Sequence, residues 1–440
     1  MREPKKRTVG LPGAISIGIG GMVGGGIFAV LGEAVSLAHG ATIVAFLFAG
    51  MVALATSYSY AKFSVRYQNR GGTVVFIDNA FRHNLLSGSI SFMLWLSYLV
   101  TISLYAVAFA SYAQVLFNGN TTQWLRHILI SLAILLPALI NLLNASFVSR
   151  SETVIVMIKV ALLGLIIVSG ASFVDTERLS PANWGTSFSI IVAGMIIFVA
   201  YEGFELIANA AEEIKKPRSN LPRAFYSSIL IVIVLYALIA VITVGTVPES
   251  QLLMAKDYAL AVAARPALGQ LGFTIVSVTA LLATFSAINA TIYGNARLGY
   301  IIAKKGELPK ILREERRQIP DMGVIITLFL SLIIANTIDL TEIAIIGSAS
   351  FLLIFFMVNI SAWKLRKEID ANQWIIMMAC LASGAALATL LTHTFSSNSG
   401  ALLVFLSFMS ASVLFEVFYG RLVRGHFFHR PYDSAQKGAS

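Results

Sequence analysis

Apolar residues gather into long runs separated by brief polar and charged interludes. Such runs occupy approximately 11–38, 41–65, 85–117, 124–144, 152–173, 187–209, 222–246, 270–302, 323–338, 342–363, 371–393 and 399–420. Crossing a bilayer as a helix takes about 20 predominantly apolar residues. The pattern therefore predicts an all-α polytopic membrane protein with twelve transmembrane helices. The ninth run is short, and the third and eighth are long enough to call for tilt or extension past the bilayer. Three connecting segments, 66–84, 247–269 and 303–322, carry amphipathic or mixed character; 247–269 fits a surface helix.

Composition agrees. The chain has 440 residues, 57% apolar and 12% charged, with a mean hydropathy of +0.79; a soluble domain carries about 25% charged residues. The net charge of +10 would suggest a nucleic-acid partner in a soluble protein. Its placement argues otherwise. With an even number of spans, 26 of the 32 lysines and arginines fall on the side of the termini. Only Arg126, Arg178, Lys256 and Arg265 fall opposite, while Lys159 and Arg297 lie inside spans. Positive charge marks the cytoplasmic side, so both termini are expected in the cytoplasm of a cell (plasma or inner) membrane, with the lipid bilayer and not nucleic acid as partner. The first span has no small-residue cleavage site and is expected to be retained. The one cysteine, Cys380, allows no disulfide or thiolate cluster within the chain, and the six scattered histidines suggest no metal site.

One run is interrupted. Gly18-Ile19-Gly20-Gly21-Met22-Val23-Gly24-Gly25-Gly26-Ile27-Phe28 places six glycines among eleven residues of span 1. Glycine is the worst helix former after proline. Irregular backbone at membrane depth is tolerated only where protein buries it or where it lines a cavity. The stretch reads either as a broken helix lining a binding site or as a close packing face of small residues. Span 6 carries a second interruption, Tyr201-Glu202-Gly203-Phe204-Glu205, with two carboxylates beside a glycine. Intramembrane carboxylates are costly and point to function. Interruptions at corresponding positions of two halves point to a transporter site at the midplane. Unwinding frees N–H groups at one new helix start and C=O groups at one new end, suited to a carboxylate and an ammonium respectively. A zwitterionic amino acid needs both.

These motifs resemble the amino acid–polyamine–organocation superfamily, above all its small prokaryotic proton-coupled amino acid transporters. The resemblance covers nearly the whole chain. Beyond spans 1 and 6 it rests on Ala211-Glu212-Glu213-Ile214-Lys215-Lys216-Pro217, Leu221-Pro222-Arg223-Ala224, Ser286-Ala287-Ile288-Asn289-Ala290-Thr291-Ile292-Tyr293-Gly294 and Ala303-Lys304-Lys305-Gly306-Glu307-Leu308-Pro309. It implies a leucine-transporter-like fold within a single transmembrane domain, 1–440. That fold has a first five-helix repeat at 11–173, an inverted second at 187–366 and two additional helices at 371–420. It also implies a substrate site of Val23, Gly24, Gly25, Gly26 and Ile27 with Phe198, Ala200, Tyr201, Glu202 and Gly203. Amides of Gly24–Gly26 would hold the substrate carboxylate, and carbonyls of Phe198–Gly203 the amine. Phe198 or Tyr201 would close over it.

Lys159 lies in the apolar run Thr153–Leu163, six residues past Thr153, a rise of about 9 Å. It either snorkels to the inner surface or serves inside the bundle. The resemblance implies the second: a lysine of span 5 takes the place of the cation that sodium-coupled relatives hold between spans 1 and 8. Its partners would be the carbonyls of Gly20 and Val23 and the hydroxyl of Ser286, with Thr284 as a further candidate. Burial makes an ammonium costly, so such a lysine can load and release a proton. Glu202 and Glu205, three apart, are the rival proton site; the alternative is that they bond to freed amides or to Asn209. Arg297 is a candidate cytoplasmic gate or anchor through Glu212 or Glu213.

The function expected is proton-coupled symport of L-amino acids by alternating access, with no cofactor beyond the coupling proton and no sodium. An exchanger without net proton coupling is the alternative within transport, and a membrane amino-acid sensor or accessory subunit the alternative from another class. No zinc, aspartate-pair or rhomboid-type serine motif suggests an enzyme. A glycine-rich span 1 fits small or medium neutral amino acids; a span 6 carboxylate facing the pocket would admit cationic ones. Oligomeric state has no signature in the sequence.

Overall fold

The computed structural model describes residues 7–82, 84–117, 122–143, 145–313 and 320–424, the side chains of 145–154 and 423–424 excepted. Residues 1–6, 314–319 and 425–440, with several of the basic residues counted above, lie outside the described residues. Seventeen helices follow one another: α1 Leu11–Met22, α2 Gly26–Ala38, α3 Thr42–Arg66, α4 Gly72–Phe81, α5 Leu85–Leu116, α6 Gln123–Leu143, α7 Ala145–Gly170, α8 Ser187–Ile196, α9 Leu206–Asn209, α10 Pro217–Thr246, α11 Glu249–Met254, α12 Ala259–Ala263, α13 Arg265–Lys304, α14 Asp321–Thr337, α15 Leu340–Lys364, α16 Gln373–Ser397 and α17 Ser399–Arg424. No strand occurs among the described residues.

Among the described residues, ten spans are continuous or nearly so and long and apolar enough to cross a membrane, and the bent pair α1–α2 makes an eleventh. The remaining run expected to cross is α14, with 17 residues, about 25 Å of helix. Several helices overshoot the apolar runs that mark them. Helix α10 starts at Pro217, which presets a first-turn φ and lacks only an N–H that has no intrahelical partner. Helix α13 absorbs a kink at Gly269, φ 60°. The segment 66–84 contains α4, and 247–269 contains α11 and α12 rather than one surface helix.

Helix α5 is central. It is buried on all sides and packs chiefly on α13, α15 and α6. Helices α6, α7, α16 and α17 lie outside and present large apolar side chains outward, among them Leu136, Leu165, Met378 and Phe418. In lipid these positions carry no penalty.

The glycine run ends α1 at Met22 and lets α2 restart at Gly26 with a 50° bend. The glycines are there for close approach: a Cβ on Gly25 would lie 2.3 Å from Tyr105 Cδ1, and one on Gly26 2.8 Å from Ala200 Cα. Span 6 breaks too. Helix α8 ends at Ile196, a 3-10 turn runs over Ile197–Tyr201, and helix resumes at Leu206. Ser348 of α15 serves the freed backbone there, accepting from the Val199 N–H (2.9 Å) and donating to the Ile196 carbonyl (2.5 Å). The Tyr236 hydroxyl of α10 spans both breaks, 2.7 Å from the Met22 carbonyl oxygen and 3.2 Å from that of Ala200. Tyr236→Phe leaves these buried acceptors short of a donor, a cost of about 1–3 kcal/mol. We expect a lower midpoint in thermal unfolding of the detergent-solubilised protein. An unchanged midpoint would mean that Tyr236 does not hold the two breaks together.

Candidate functional site

Spans 1 and 6 touch backbone to backbone. Gly203, at φ 114°, faces Gly21 so closely that a Cβ on Gly203 would lie 2.3 Å from the Gly21 carbonyl carbon. Beside this crossing is a cavity. Its wall is formed by Gly20 and Gly21 of α1, Tyr98 and Tyr105 of α5, Lys159 of α7, Glu202 and Gly203 of the interruption, and Ser286 and Thr291 of α13. Leu206, Asn209, Gly294 and Leu298 also line a second cavity with Arg70, Glu213 and Arg297. The first cavity therefore leads toward the lysine- and arginine-rich end of the bundle. The opposite end carries charged pairs. There Glu33 of α2 pairs with Lys256 and accepts from Thr341 (3.0 Å), and His39 meets Glu249 at 2.6 Å.

Lys159 is 2% exposed and shares the cavity wall with Gly20 and Ser286. Its helix begins at Ala145, eight residues before the apolar run that starts at Thr153. The side chain lies 14 positions into α7, about 21 Å along the axis, and points into the bundle rather than toward the surface. Thr284 does not line the cavity; its hydroxyl donates to the Ala280 carbonyl at 2.7 Å.

The glutamates sit in a turn, not on one helix face as their spacing suggests. Glu205 Oε1 accepts from the Tyr98 hydroxyl (3.0 Å) and Oε2 from the Gly203 N–H (2.8 Å). That matches the expectation of a bond to a freed amide; Asn209 is not the partner. Glu202 accepts from the Tyr105 hydroxyl at 3.4 Å and lines the cavity.

Other expected site residues lie elsewhere. Val23, Gly24, Gly25, Gly26 and Ile27 are buried beyond the cavity, because the Tyr105 ring covers Gly25 and Ala200 closes on Gly26. Phe198 packs edge-on against Phe355, and Tyr201 donates to the Phe46 carbonyl (2.9 Å), so neither aromatic reaches the cavity. The aromatics at its wall are Tyr98 and Tyr105 of α5. Arg297 does not pair with Glu212 or Glu213: both carboxylates bond Arg70, at 3.0 and 2.7 Å, while Arg297 donates to Tyr293 (3.0 Å). Tyr98, Tyr105 and Tyr236 carry no sequence signal, since a tyrosine in an apolar helix reads as packing, and Arg70 reads only as one more charge in a connecting loop.

The comparisons agree with this architecture. A family model described as amino acid permease matches residues 9–415. An uncharacterized protein of Methanocaldococcus jannaschii is 32% identical over 432 residues, covering 98% of this chain and 99% of its own. The inner membrane transport protein YbaT of Escherichia coli is 34% identical over 404 residues, covering 90% and 93%. The branched-chain amino acid permease BcaP of Lactococcus lactis is 28% identical over 386 residues, covering 80% and 81%. Such proteins are membrane transporters, not enzymes. With its broken first span and a cavity at the crossing of two interrupted helices, the chain belongs to the amino acid permease family.

Proposed function

We propose that this permease is a proton-coupled symporter that carries L-amino acids into the cell, with Lys159 as the proton carrier. The observation that supports this most is a buried amine on the wall of the cavity, beside the interruption of α1 and next to Ser286 of α13. Protonated, Lys159 offers three donors and ties α1 to α13, as a bound cation would. Neutral, it releases that tie. Alternating access then follows from differential binding of proton and substrate to the two forms. The described form leads to the lysine- and arginine-rich end, which we take as cytoplasmic, along with both termini. The two five-helix repeats belong to the same reading. The substrate carboxylate would reach the amides of Gly24–Gly26 once the Tyr105 ring moves from Gly25.

The test is uptake of a labelled L-amino acid mixture into sodium-free proteoliposomes with and without an inward proton gradient. Accumulation only with the gradient is expected. If label enters only by exchange for internal amino acid, the protein is an exchanger and the symport reading fails.

A further inference from the structure

The second cavity lies next to the first, toward the lysine- and arginine-rich end. Asn209 and Gly294 line both, so a molecule leaving the first by this route enters the second. On the wall of the second cavity are two side chains of opposite charge that do not pair with each other. Arg297 of α13 donates to the Tyr293 hydroxyl at 3.0 Å, and among the described residues no carboxylate pairs with it. A guanidinium has five N–H donors, so donors remain for a ligand. Glu213, in the turn between α9 and α10, accepts from Arg70 through Oε1 at 2.7 Å. Its Oε2 has no hydrogen bond among the described residues. The Glu213 side chain is 42% exposed, so water reaches it. The rest of the wall is largely apolar, with Leu206, Ala210, Leu298 and Ile301.

We propose that the second cavity is an amino acid site of its own, in which Arg297 takes the α-carboxylate and Glu213 the α-ammonium of a molecule leaving the first cavity. This rests on the reading that the first cavity is the amino acid site. Opposite charges that share a wall without meeting suit a ligand that carries both. A guanidinium matches a carboxylate with two parallel N–H donors, and the bonds at both ends are charge-assisted. The apolar remainder of the wall suits a neutral aliphatic side chain. Neither Lys159 nor the span 6 glutamates take part. Ion pairs that water reaches are weak, so the site should bind with a constant on the order of 1 mM. It would fill as substrate accumulates on that side.

The experiment is equilibrium dialysis of tritiated L-leucine against the full chain in detergent, carried well past the expected constant. The expected result is two molecules per chain in the wild type, in a tighter and a weaker step. Arg297→Gln and Glu213→Gln should each weaken the second step at least tenfold and leave the first within a few-fold. Arg297→Lys, which keeps the charge, should retain part of it. One molecule per chain in the wild type overturns the proposal whether or not the variants fold, and leaves Arg297 and Glu213 as gate or anchoring charges. A weaker step that both glutamine variants keep also overturns it. The two readings separate cleanly. A weaker step lost in both variants, with no tighter step in the wild type, leaves the second site standing and removes the first cavity as the leucine site.

Discussion

Gly203→Ala is expected to abolish transport and to lower the thermal midpoint sharply. Two costs add at this position. The backbone is held at φ 114°, where an L side chain is strained by about 1–3 kcal/mol. The new methyl would also lie 2.3 Å from the Gly21 carbonyl carbon and 2.7 Å from its Cα and oxygen. These are backbone atoms, so relief requires spans 1 and 6 to separate, and overpacking of this kind costs about 1–3 kcal/mol more. Gly21→Ala meets the same wall from the other side, 2.6 Å from the Gly203 carbonyl oxygen, without the φ penalty, and should fall between it and the wild type. Gly164, whose Cβ would meet nothing within 4 Å, provides the contrast: Gly164→Ala should unfold like the wild type. Near-normal uptake by Gly203→Ala would show that the two breaks do not cross this closely in the working protein.

Lys159→Ala is expected to remove gradient-driven uptake while leaving substrate binding within a few-fold. A switch that moves an equilibrium from mostly one form to mostly the other needs about 5.5 kcal/mol of differential binding. Three hydrogen bonds from a buried ammonium, at about 1.5–3 kcal/mol each, are of that size. A single neutral hydrogen bond, at about 1 kcal/mol, is not. Lys159→Arg should not rescue coupling, because a guanidinium keeps its proton throughout the physiological range. If Lys159→Ala still accumulates substrate against a gradient, the proton travels through Glu202 and Glu205 instead.

The parts of the fold that depend on local chemistry were legible in the chain. Long apolar runs locate the spans, and the glycines at 24–26 and 203 mark the breaks because few other residues could be held there. What crosses between helices was not. Tyr105 covers Gly25 from a helix that shows no interruption of its own, and Tyr236 reaches Met22 from 214 positions away. Arg70 takes Glu212 and Glu213, the carboxylates that sequence order offers to Arg297. The glutamate spacing misled for a physical reason: three residues apart means one face only on a helix, and glycine at position 203 turns the segment out of helix. Lys159 needed both kinds of information. Its position in an apolar run flags it, but only the packing of α7 against α1 and α13 takes it away from the surface.

Proton movement carried by substrate is the central claim, and it is measured most directly with a pH-sensitive dye trapped in proteoliposomes. With no imposed gradient and no sodium, adding L-amino acid outside should acidify the lumen of wild-type vesicles. Vesicles of Lys159→Ala should stay flat while still binding substrate. Wild-type vesicles that take up labelled amino acid with no change in lumenal pH would contradict the account.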